Sequence, residues 1–142
     1  MISNPKHGWC DFKLGDFEGT PSYLTDVPID LLNMLIDYHT KGHGMIWFDE
    51  EGTEFTLVLT PYSLFIIEEK EIPVLHDFSE MNIDNLEKEL VDDIENDLDG
   101  WANFTADDMD DEISEHKAEI IRKLEILKTI KNMKEIERKV EK

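Results

Sequence analysis

Cysteine is nearly absent. Cys10 is the only one in 142 residues, so no internal disulfide framework is possible and a reducing, cytoplasmic setting is expected. Long apolar runs are missing too: the longest are four residues, 45–48 and 64–67, too short for a membrane-spanning helix. Residues 1–14 mix Asn, Pro, Lys, His and Asp and lack the apolar centre of a secretory signal. Asn103-Phe104-Thr105 is therefore a glycosylation sequon in spelling only. Positive charge is scarce. There are 14 Lys and Arg against 34 Asp and Glu, a formal net charge of −20 and a pI near 4.4. Such a surface repels phosphate, which argues against nucleic acid and anionic membranes and points to a basic protein as partner.

The shortage of cations is uneven. Residues 1–79 carry 14 acids and 4 bases, residues 80–115 carry 15 acids and only Lys88, and residues 116–142 carry 5 acids and 9 bases. The middle block, with an acid at nearly every second position, is the unusual feature.

Apolar residues make up 40% of the chain, enough for one core, and no Pro/Gly/Ser linker or repeat divides it. A single domain over 1–142 is expected, β-rich with one helix over 1–80 and helical, acidic and then basic, over 81–142. Cys10, Phe12 and Leu14 alternate with Asp11 and Lys13, the period of a half-buried strand, and Gly15, Gly19 and Pro21 then mark a loop. Pro28 suits the first turn of a helix carrying Leu31, Leu32, Leu35, Ile36 and Tyr38 on one side, with Gly42 as its stop. Three strands follow over Met45–Asp49, Phe55–Thr60 and Ser63–Glu68, joined by turns at 50–53 and 60–63. Apolar residues on both faces of these strands predict cover on both sides by helices.

Further on, Asp84 and Glu87 have capping-box spacing, and Leu86, Leu90, Ile94 and Leu98 recur every four residues until Gly100. Trp101 and Phe104 should pin the connection to the core. Thr105 is expected to cap a last long helix with a drifting stripe of Ile113, Ile120, Ile121, Leu124, Leu127, Ile130, Met133 and Ile136. The pattern predicts an α+β fold: an antiparallel meander of three to four strands, one helix after the first strand, and two C-terminal helices.

No motif specifies a reaction. Aligning Gly100 with the glycine of a calcium-binding EF-hand loop puts Glu95 at the first ligand position and Ala106 at the twelfth, where Asp and a bidentate Glu are required. His39 and His43 are four apart, as two zinc ligands would be, but Gly42 separates them and no further Cys or His completes a set. Exposed histidines at a helix end are expected instead. His7, His76 and His116 form no pattern. Cys10 lies on an apolar strand face, where burial keeps a thiol neutral and inert. There is no Gly-x-Ser-x-Gly elbow and no Gly-rich phosphate loop. No catalytic residue, cofactor or metal is assigned, and a non-enzymatic protein is expected.

What remains is an acidic face: Asp92, Asp93, Glu95, Asp97, Asp99, Asp107, Asp108, Asp110, Asp111, Glu112 and Glu115. Acids in the first turn of the last helix suit its dipole. However, Asp107/Asp111, Asp108/Glu112 and Asp111/Glu115 are like-charge i,i+4 pairs, each mildly destabilising, and a cationic partner would relieve them. All of these except Glu95 are assigned as partner-binding residues.

The stretch Gly15-Asp16-Phe17-Glu18-Gly19-Thr20-Pro21-Ser22-Tyr23-Leu24-Thr25-Asp26-Val27-Pro28 resembles small bacterial immunity-type proteins of polymorphic and contact-dependent toxin systems. The resemblance implies a small, acidic, cytoplasmic, non-enzymatic inhibitor of a basic toxin or nuclease. The alternative is a structural or regulatory subunit that docks through its C-terminal helix. A metal-assisted enzyme using His39 or His43 is the third reading.

Overall fold

The computed structural model describes residues 1–105 and 110–140; the side chains of Asp110 and Asp111 are also outside the description. The fold is α+β, with two antiparallel sheets and four helices among the described residues. The first sheet is a meander of β1 (Ile2–Lys6), β2 (Trp9–Leu14) and β3 (Phe17–Gly19). Helix α1 (Val27–Lys41) leads to the second meander: β4 (Gly44–Asp49), β5 (Glu54–Leu59), β6 (Leu64–Glu69) and β7 (Val74–Asp77). Three helices complete the chain: α2 (Ile83–Glu95), α3 (Leu98–Asn103) and α4 (Asp110–Val140).

The strand periods behave as the alternation requires. In β2, Cys10, Phe12 and Leu14 are buried while Asp11 and Lys13 are exposed. The loop expected at 15–21 is instead a tight Gly15-Asp16 turn followed by β3, with Leu14 opposite Phe17. Three strands, not one, therefore form ahead of or within the first loop before α1. Helix α1 ends as expected: Gly42 adopts φ 85°, and its N–H donates to the Tyr38 carbonyl at 3.0 Å.

The two sheets meet through phenylalanines. Phe12 and Phe17 of the first sheet reach Phe55 of the second at ring-centroid distances of 5.1 and 5.0 Å, and Phe12 lies 5.1 Å from Phe48. The inner face of the second sheet thus packs on the first sheet at Phe48 and Phe55, with α1 along β4. Helical cover on both faces, expected from the apolar composition of β4–β6, is not what forms.

The helical part departs from expectation at two points. Asn82, not Asp84, caps α2 by accepting from the Asn85 N–H at 2.9 Å, and Glu87 turns inward. Gly100 does not end a helix: α2 ends at Glu95, and Gly100 lies inside α3. There the Asp97 carboxylate folds over the helix start to accept from the Gly100 N–H at 3.1 Å, and a Cβ on residue 100 would sit 2.5 Å from it. The glycine makes room for the cap. Hence three helices, rather than two, follow the sheets.

One continuous core runs from Met1 and Ile2 through the sheets and α1 to Leu86, Leu90, Ile94, Trp101, Phe104 and the α4 residues Ile120, Leu124 and Leu127. Trp101 and Phe104 pin the connection as expected, buried with ring centroids 5.6 Å apart. The α4 stripe is buried only in its middle. Met133 and Ile136 are exposed, because a 31-residue helix, about 46 Å long at 1.5 Å per residue, outruns the core, and Ile121, between buried Ile120 and Leu124, is turned toward solvent. The expected cap at Thr105 abuts residues 106–109, outside the described residues. No helix among the described residues is long and apolar enough to cross a membrane.

Candidate functional site

Four acids between 92 and 99 are engaged within the chain. Asp93 accepts from the Met1 ammonium at 2.8 Å and from the Ile2 N–H at 3.2 Å, so it ties β1 to α2. Asp97 is the α3 cap. Asp99 meets Lys117 at 2.7 Å and Glu95 meets Lys128 at 2.7 Å. The basic last helix thus neutralises part of the acidic block within the chain. Asp92, Asp97, Glu112 and Glu115 are exposed and make no ion pair among the described residues. Asp107 and Asp108 lie outside the described residues, and so do the Asp110 and Asp111 side chains. The like-charge pairs that involve them are therefore not placed.

Sequence spacing did not reveal the surface that the second sheet leaves open. Register aligns its outward residues in three rows. Met45, Val58, Phe65 and Asp77 stand opposite one another across the four strands, as do Trp47, Thr56, Ile67 and Leu75. The third row is Asp49, Glu54 and Glu69. Met45 is 66% exposed, Trp47 43% and Leu75 60%; Val58, Phe65 and Ile67 are partly exposed. Two apolar rows are therefore in water beside a row of three carboxylates. Like charges directly opposite in a sheet oppose pairing, and among the described residues none of the three has an ion-pair partner. Residues 44–69 contain six acids and no Lys or Arg, so no cation of the strands themselves offsets the row. The nearest in sequence, Lys70, pairs with Glu68 at 3.3 Å.

Where β4 meets α1, Thr25, Asp30, Asn33, Asp37, Met45 and Trp47 line a cleft of about 220 Å³. Burial, with help from the Asp26 charge, pushes the Asp30 carboxyl up to about 6. This holds despite the helix N-terminus, which favours the charged form. Acids therefore flank the apolar rows on the α1 side as well as at Asp49, Glu54 and Glu69.

Of the two histidines at the end of α1, His39 is not where a solvated helix end would place it. His39 is mostly buried, and its Nε2 lies 2.7 Å from the Glu87 Oε1, while Lys134 Nζ lies 3.0 Å from its Nδ1. With Lys134 donating, Nδ1 is the acceptor, so the ring proton sits on Nε2 and is donated to Glu87. Lys131 approaches the other Glu87 oxygen at 3.4 Å, an ion-pair contact without hydrogen-bond geometry. Burial raises the Glu87 carboxyl, but the His39 hydrogen bond and the Lys131 charge outweigh it and hold it below its ordinary value. His43, past Gly42, is exposed. His116 places Nε2 2.9 Å from Asp26 and Nδ1 2.9 Å from the Ala102 carbonyl, so both nitrogens face acceptors. His76 pairs with Glu68 and stacks on Phe78. These contacts tie elements together. Burial, with a smaller push from Asp11, pushes the Cys10 thiol up to about 12, which keeps it protonated. Among the described residues, no three His, Cys, Asp or Glu side chains are grouped to hold a metal ion.

The chain matches no family model, no curated protein and no solved structure.

Proposed function

We propose that this protein is a non-enzymatic acidic binding protein that neutralises a basic protein, in the manner of an immunity protein facing a toxin or nuclease domain. The observation that carries this reading is the outward sheet face. Exposed apolar rows beside unpaired carboxylates at Asp49, Glu54 and Glu69 are the composition of a contact surface, an apolar centre with a charged rim. The net charge of −20 supports it, because opposite charges steer encounter with a cationic partner. The likeness of residues 15–28 to immunity-type proteins agrees with the same reading.

The test is co-expression with each protein encoded beside it in its source genome. The reading expects one basic neighbour to be toxic alone, to be silenced by this chain, and to form a complex with it whose association rate falls with added salt. If no neighbour is basic or silenced, the reading is wrong.

A second reading has its own observation. Beyond the core, Met133, Ile136 and Val140 are exposed at i, i+3 and i+7 on α4, the spacing of a docking helix. A regulatory subunit would use that stripe. Truncating the chain after residue 132 would then abolish assembly, whereas the inhibitor reading expects it to leave neutralisation intact.

A further inference from the structure

We infer that the outward face of the second sheet, built on Met45, Trp47, Val58, Phe65, Ile67 and Leu75, docks a basic protein through an apolar patch bordered by lysines or arginines. This rests on the proposed function and names the site and the chemistry of its partner.

Soluble proteins rarely leave large contiguous apolar patches in water, and here Met45, Val58 and Phe65 lie in one row beside Trp47, Ile67 and Leu75 in the next, interrupted by Thr56 and bounded by Asp77. Single exposed apolar residues need no explanation, but six that share one face of a sheet do. Three occupants are conceivable: a helix of the same chain, a second copy, or a different protein. The described helices do not cover the face; α1 packs along β4 and on α4, and α2 and α3 pack on β1. A second copy stacked face to face would bring two chains of charge −20 together, and with them two carboxylate rows carrying no cation of their own. That repulsion selects a cationic partner. Asp30 beside Trp47, and Asp49, Glu54 and Glu69 at the far row, place negative charge on two sides of the patch, while the neighbouring Asp37 already pairs with Lys41 at 3.3 Å. The partner's cations belong at the rim and its apolar side chains at the centre, against Trp47 and Ile67.

The partner's relief of the carboxylate row distinguishes this face from α2–α4. Lys117 and Lys128 already lie against Asp99 and Glu95, so an incoming cation gains less at those two acids. At Asp49, Glu54 and Glu69 it replaces repulsion by attraction.

The experiment uses the isotope-labelled full chain and a synthetic peptide of alternating lysine and leucine, with lysine–serine and glutamate–leucine peptides as controls. Chemical shifts should move at Met45, Trp47, Thr56, Ile67 and Leu75 with lysine–leucine, and far less with either control. The variant Trp47→Thr/Ile67→Thr/Leu75→Thr keeps residues suited to strands, and its fold is checked by circular dichroism. It should bind about tenfold more weakly. Glu54→Gln/Glu69→Gln should flatten the salt dependence. Equal binding of lysine–serine at the same amides would show that charge alone acts and would overturn the inference. Shifts confined to α2 and α4 would overturn it while leaving the basic-partner reading intact, and so would self-association of the free protein through this sheet. No shift with any peptide also overturns it, whereas the co-expression test decides the basic-partner reading separately.

Discussion

The imidazole of His39 on α1 donates to the carboxylate of Glu87 on α2 across 2.7 Å, and Lys134 and Lys131 of α4 close on the pair from the other side. Three helices distant in sequence are joined at one point, where Glu87 is only 1% exposed. A carboxylate so buried is tolerable only because a hydrogen bond and a cation offset its lost hydration.

Glu87→Ala should therefore lower stability by about 3 kcal/mol in urea unfolding, since it leaves the His39 N–H without its acceptor and Lys131 without its counter-charge. Replacing both partners with leucine should recover most of that loss, and the double-mutant cycle should show coupling above ~1 kcal/mol. The Glu87 carboxyl is held below its ordinary 4.5, so its contribution is present above that pH and is lost as pH falls through the folded value. Glu87→Ala should accordingly flatten the acid limb of the melting curve.

His116 acts at the opposite end of the scale. Its hydrogen bond to Asp26, aided by the Ala102 carbonyl, outweighs burial and raises it above 6.5. The folded state holds this proton more tightly than the unfolded chain does. Its contribution is complete below pH 6.5 and disappears as pH rises through the folded value. Melting temperature followed upward from pH 6 should fall in the native protein, and His116→Gln should remove that fall while lowering the plateau before it.

Asp30 should titrate near 6 when its side-chain carbon is followed by NMR. Because its value is raised, its favourable contribution is complete below 3.8 and is lost as pH rises through about 6. Asp30→Asn should be neutral in acid and stabilising, by roughly 1 kcal/mol, above neutrality. A variant less stable at alkaline pH would show that the charged form is favoured in the fold.

The strands and α1 were legible because their signals are local. The alternation of Cys10, Phe12 and Leu14 and the Pro28…Gly42 brackets depend on neighbours a few residues away. Strand β1 has no such signal: Ile2–Lys6 contains Asn and Pro, Asn4 has φ 53°, and the register shifts between Ser3 and Lys6. Its place is set by pairing with Phe12 and by α2. Gly100 misled because a glycine late in an acidic helix resembles a stop, whereas its lack of a side chain serves the Asp97 cap. The open sheet face was hidden for a related reason. Met45–Phe48 and Leu64–Ile67 are apolar at every position, and composition of that kind cannot tell a covered face from an exposed one. Nor could spacing reveal that Lys117 and Lys128 would fold back on Asp99 and Glu95. The acidic block was visible; its internal neutralisation was not.

The clasp between β1 and α2 bears on the order of folding. Each hairpin of the second sheet closes a loop of a few residues, while the contact of Ile2 with Asp93 closes one of 91. Loop-closure entropy grows by about 0.6 kcal/mol per doubling of length, so the long closure is entropically the last to be favourable. The hairpins can collapse early around Phe48 and Phe55, and the first sheet is secured only when α2 arrives to hold β1. In the reverse direction the same clasp is the seam that opens first. Amide exchange at β1 should then outpace that at β5, an inner strand whose neighbours on both sides are next to it in the chain.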